Sequence, residues 1–130
     1  MKLTKFLSMI SVITALSFSQ VVAASGEHGG GHAISEMSKI MMDLNHRPDS
    51  GGKRVLRDIV NGSDASENEK FMARVMLNLD HRASASEKAR LREIVNDQDA
   101  TEHERQLADI LLRLNHKPSR SDKAKLRDMM

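Results

Sequence analysis

Three histidines close near-identical phrases at a constant spacing of 35 residues: Leu44-Asn45-His46-Arg47-Pro48, Leu79-Asp80-His81-Arg82-Ala83 and Leu114-Asn115-His116-Lys117-Pro118. The same offset carries Leu56-Arg57-Asp58-Ile59-Val60 onto Leu91-Arg92-Glu93-Ile94-Val95 and onto Leu126-Arg127-Asp128-Met129-Met130. Residues 66–95 and 101–130 agree at 12 of 30 positions, which removes coincidence as an explanation. Such a chain folds as three copies of one supersecondary unit, because a unit this small cannot bury its own apolar face and needs its neighbours to cover it. The copies span about residues 31–65, 66–100 and 101–130.

Each copy reads as a helical hairpin. Met72, Val75, Met76 and Leu79 fall at i, i+3, i+4 and i+7, and Leu107, Ile110, Leu111 and Leu114 repeat the pattern, one buried stripe per helix. Ser66 with Glu69, Ser84 with Glu87, Thr101 with Glu104 and Ser119 with Asp122 have the spacing at which a hydroxyl and a carboxylate satisfy each other's free backbone donors at a helix start. Pro48 and Pro118 disfavour helical backbone in the residue before them, which predicts that the long helices stop at the histidines. Helices are therefore predicted near residues 33–46, 51–61, 67–81, 85–96, 102–116 and 120–129. With no Cys, Trp or Tyr, and Phe71 the only aromatic after residue 24, the core must be built from Leu, Ile, Val, Met and Ala. The expected fold is all-α, three tandem hairpins of a long and a short helix, stacked as a short α-solenoid or as a compact six-helix array. The period is near the roughly 34 residues of tetratricopeptide repeats, but that pattern needs Trp and Tyr and the likeness stops at the period.

The N-terminus has a different character. Lys2 and Lys5 precede a thirteen-residue apolar run, Phe6–Phe18, and small residues around Ala24 follow, the layout of a secretory signal peptide over residues 1–24. No Cys follows the run and no paired arginines precede it, so neither lipidation nor twin-arginine export is expected. The processed chain is expected to be exported, to a bacterial periplasm or beyond, and not to be an integral membrane protein. Residues 25–32 (SGEHGGGH) read as a flexible Gly/His tail before a helical domain at 33–130.

Net charge argues against nucleic acid. The formal +2 comes entirely from Lys2 and Lys5, and 18 basic residues face 18 acidic ones in the remainder. Within that balance the long-helix halves carry a net −7 and the short-helix halves +7. In-register stacking would place Lys53, Arg57, Lys88, Arg92, Lys123 and Arg127 on one basic face, a candidate partner surface. The third copy ends without a polar capping helix, so its uncovered side, with Met129 and Met130, suggests contact with a second copy of the chain.

His46, His81 and His116 are expected to serve helix ends, where imidazole complements the negative pole of the macrodipole. The alternative is metal coordination, with His28 and His32 of the tail as further donors and copper, nickel or zinc as the ion. In stacked hairpins equivalent histidines would form a row some 8 to 10 Å apart, too far for one ion to collect all three. Met37, Met41, Met42, Met72 and Met76 resemble a thioether array, but Leu111 and Leu112 replace Met at equivalent places, so they are expected in the core. No nucleophile motif, phosphate loop or zinc-protease helix is present, and an enzyme is not expected. The leading expectation is an exported helical-repeat interaction module, adaptor or chaperone-like, with a metal-binding or metal-buffering protein as the alternative.

Overall fold

The computed structural model describes residues 27–130, leaving the expected signal segment, residues 1–24, outside the described residues. Six helices follow one another: α1 Glu27–Met42, α2 Ser50–Asn61, α3 Glu67–Asn78, α4 Ala85–Asn96, α5 Glu102–Arg113 and α6 Arg120–Asp128. No helix among the described residues is long and apolar enough to cross a membrane.

Local chemistry starts the helices where the sequence says. Ser66, Ser84, Thr101 and Ser119 are all N-caps of reciprocal capping boxes with Glu69, Glu87, Glu104 and Asp122. In the first copy Asp49 stands in for the serine: its Oδ1 accepts from Gly52 N–H at 2.6 Å. Gly52 occupies the place of the missing box carboxylate, and a Cβ there would meet Ile40 of α1 at 3.2 Å. Two boundaries differ from expectation. Helix α1 begins at Glu27, inside the segment read as a tail, because glycine weakens a helix by about 1 kcal/mol without stopping it as proline would. The long helices end at Met42, Asn78 and Arg113, before the histidines.

Packing decides between the two architectures. The long helices α1, α3 and α5 all pack on one another, and each short helix packs on the long helix of the next copy: α2 on α3, α4 on α5 and α6 on α1. The last of these contacts closes the array into a ring with pseudo-threefold symmetry, so the compact six-helix arrangement is adopted rather than an open solenoid. Equivalent residues form buried layers: Met37, Met72 and Leu107; Met41, Met76 and Leu111; Leu44, Leu79 and Leu114; Leu56, Leu91 and Leu126. Four of the five methionines once set beside copper chemistry are thus fully buried, and Met42 packs against the core from its edge.

Ring closure changes the setting of two expected surfaces. The side of the third copy that was expected to lie open is covered by α1, with Met129 at 5% exposure and Ser35 Oγ donating to the Met130 carbonyl at 3.3 Å. Met130 next to it stays half exposed. The six cations expected on one basic face are carried by short helices that make no contact with one another. Arg57, Arg92 and Arg127 are exposed and Lys53, Lys88 and Lys123 half-buried, but they ride on three separate peripheral helices.

Two polar groups sit awkwardly in this core. Ser38, on the layer that holds Ala73 and Ala108, is fully buried, and its hydroxyl has no partner. Glu69, at 2% exposure, lies near buried Glu104, which takes hydrogen bonds from Ser66 Oγ and Asn68 Nδ2. Burial pushes the Glu69 carboxyl up to about 7; the Ser66 N–H that it accepts opposes this rise and the Glu104 charge adds to it. Ser38→Ala should raise stability by about 1 kcal/mol, read as a higher denaturation midpoint, since it deletes an unpaired buried hydroxyl and restores the residue of the other copies. For Glu69 the folded state holds its proton more tightly than the unfolded chain. The associated stability is complete below about pH 4.5 and is lost as pH rises through about 7, a difference of order 3 kcal/mol. Glu69→Gln keeps the capping acceptor and should flatten that dependence, exceeding the parent protein in stability at pH 8 in denaturation series run from pH 4 to 8.

A three-histidine cluster at the ring's pseudo-threefold tip

The turn after each long helix is pinned at both ends. Leu44, Leu79 and Leu114 are buried on one side, Pro48, Ala83 and Pro118 on the other, and the three residues between them are exposed. A reversal over so few residues forces an unusual backbone on the middle one. His46, His81 and His116 have φ of 71°, 71° and 67°, and among the described residues they are the non-glycine residues with positive φ. At the third turn the Lys117 N–H donates to the Asn115 carbonyl at 2.8 Å, closing a γ-turn about His116, a strained conformation. The second copy makes the same turn with alanine after the loop, so proline is not its cause.

The turns also bind one another. His46 N–H donates to the His116 carbonyl at 3.0 Å and His116 N–H to the His81 carbonyl at 2.8 Å. These backbone bonds bring the side chains together: the Nδ1 atoms of His46, His81 and His116 are 3.0 Å apart in every pairing. The rings stand edge to face with interplanar angles of 80°, 85° and 65°, a three-bladed propeller with Nδ1 at its hub. The predicted row is therefore a triangle. Because the copies are related by rotation about a closed ring, and not by translation along a stack, equivalent side chains meet at the axis. The helix-end role does not apply either, since the imidazoles lie beyond the last helical turn and the macrodipole effect fades within it.

Three Nδ1 atoms this close cannot all be satisfied by each other. A neutral imidazole nitrogen carries either a proton or a lone pair, so at most two of the three contacts are hydrogen bonds and the third always sets like against like. A cation at the hub removes the conflict by drawing all three lone pairs inward. With metal–nitrogen bonds of 2.0 to 2.1 Å, an ion touching three nitrogens 3.0 Å apart lies about 1 Å out of their plane, with N–metal–N angles of about 95°. Opening the triangle by about 0.3 Å would give tetrahedral angles, a geometry in which three nitrogens would leave a fourth position on an ion open.

Around the hub, Asp80 Oδ1 lies 3.5 Å from His81 Nε2 and accepts from Arg47 Nη2 at 2.7 Å. The Arg47 guanidinium holds the Asp80 carboxyl below its usual range, so it stays charged beside the imidazole nitrogen that faces away from the hub. A carboxylate there favours the tautomer that leaves Nδ1 free to coordinate. Asn45 and Asn115 occupy the equivalent places in the other copies. His32 sits on α1, roughly 15 Å of helix from the start of the turn, and lines a groove with Glu36, Asp58 and Asp64. It does not join the cluster, and the side chain of His28 lies outside the described ones. Among the described residues His46, His81 and His116 are the one group placed to share an ion.

The positive φ separates strain from function. His81→Gly should raise the stability of the metal-free protein by about 1 kcal/mol, because glycine adopts this backbone freely. His81→Val should lower it by more, since a β-branched residue resists positive φ. Equal destabilisation by both in urea titrations with chelator would mean that the ring contributes by packing. No protein-family model, curated protein or solved structure matches the chain.

Proposed function

We propose that this protein binds one divalent transition-metal ion through His46, His81 and His116, as a metal-binding or metal-buffering protein of an exported compartment. The observation that carries the reading is the Nδ1 triangle, 3.0 Å on each side. Neutral imidazole suits zinc, copper and nickel, and three such donors with an open position match the ligand count of catalytic rather than structural zinc sites. Backbone strain repeated at three chemically identical residues supports the same reading, because strain persists where the surrounding structure over-determines it and clusters at ligand clamps. The interaction-module expectation has weaker geometric support, its six cations being split among short helices that do not touch.

Isothermal titration of the chelator-treated protein with zinc is expected to give one ion per chain. His46→Ala, His81→Ala and His116→Ala should each lower the affinity at least a hundredfold, and acidification should release the ion, since only neutral imidazole coordinates. Asp80→Asn should cost less, about tenfold, as an outer partner of one ligand. Binding that survives all three alanine replacements, or no uptake at micromolar zinc, would overturn the proposal.

A further inference from the structure

Each histidine of the cluster is followed by a cation, Arg47, Arg82 or Lys117, and all three are exposed. Arg47 reaches across to the next copy, with Nη2 2.7 Å from Asp80 Oδ1, and that same oxygen is 3.5 Å from His81 Nε2. Its guanidinium thus stands beside the imidazole of the neighbouring repeat. Arg82 and Lys117 hold the same place in the turns of the second and third copies, each directly after a positive-φ histidine, with Asn115 and Asn45 as the residues equivalent to Asp80. There the equivalent residue is an amide and not a carboxylate, and neither Arg82 nor Lys117 forms an ion pair among the described residues.

The charge at this tip is therefore one-sided once an ion is bound. Three imidazoles are neutral donors and leave the metal its full double charge, while Asp80 is already matched by Arg47. Among the described residues no carboxylate joins the metal-ligating group, which leaves the open position to a ligand from solution. We infer, resting on the metal reading above, that the open position takes a phosphate-class oxyanion, one oxygen on the metal and the others toward Arg82 and Lys117. The number of free oxygens favours this class over a carboxylate. A tetrahedral oxyanion seated on the metal by one oxygen offers three more, enough for both Arg82 and Lys117, whereas a carboxylate has one left. Arginine and lysine are the side chains that recognise phosphate oxygens, the first as a planar fork and the second as a point charge.

The full-length protein loaded with one cobalt(II) per chain gives the test, because cobalt's visible absorption reports a change of ligand at the open position. Titration with inorganic phosphate at constant ionic strength should shift the cobalt band saturably, with acetate at least tenfold weaker. An R82Q/K117Q variant, altered only at exposed side chains, should take up cobalt as the parent does and bind phosphate at least tenfold more weakly. A cobalt spectrum indifferent to phosphate, acetate binding as tightly, or a variant with unchanged phosphate affinity would each overturn the inference while leaving the metal site standing. Failure to load cobalt at all would overturn both readings.

Discussion

Packing of α6 on α1 is the contact on which the rest of the molecule depends. Each short helix buries its leucine against the long helix of another copy, and α6 does so against α1 of the first, where Leu126 is as buried as Leu56 and Leu91. Closure after three units makes rotation the relation between copies. The three long helices then run side by side in the same sense, and their C-terminal ends arrive together at one end of the ring. The convergence of His46, His81 and His116 is a consequence of that closure, reinforced by backbone hydrogen bonds between turns that are 35 and 70 residues apart.

Departures from the repeat fall at places where symmetry would be costly or useless. Glu69 and Glu104 both belong to capping boxes at helix starts, and their equivalent in the first copy is Ile34, which lies inside α1. A third carboxylate among these two would add repulsion between buried charges, and isoleucine supplies apolar surface instead. Ser38 is the opposite case: it replaces an alanine of the small-residue layer and gains no hydrogen bond for its hydroxyl. Asp80, alone among the residues before the histidines, is acidic, and its bridge to Arg47 ties the first turn to the second across the tip.

The tip adds conflicts of another kind to the buried Ser38 hydroxyl and the buried Glu69 carboxyl of the core. Along the helices the caps are satisfied and the apolar layers match across copies. At the tip three non-glycine residues hold positive φ and three nitrogens compete for too few protons. Local rules that agree nearly everywhere and fail together at one exposed point mark a place shaped for something other than stability. On the proposed reading, a cation at the hub would remove the conflict among the three nitrogens by taking all three lone pairs.

Much of the architecture was legible in the sequence because it depends on neighbours in the chain. The 35-residue period, the capping pairs and the i, i+3, i+4 stripes are properties of a few consecutive turns, and they placed six helices with most starts within a residue or two. The histidines were legible as a repeated set, and the cations after them as part of the same phrase. What the sequence could not specify was the operation relating one copy to the next. Translation and rotation bury the same stripes with the same residues, and the choice between them rests on whether α6 finds α1, a contact between opposite ends of the domain. That choice alone turns a row of imidazoles into a triangle, because only about an axis do equivalent side chains meet.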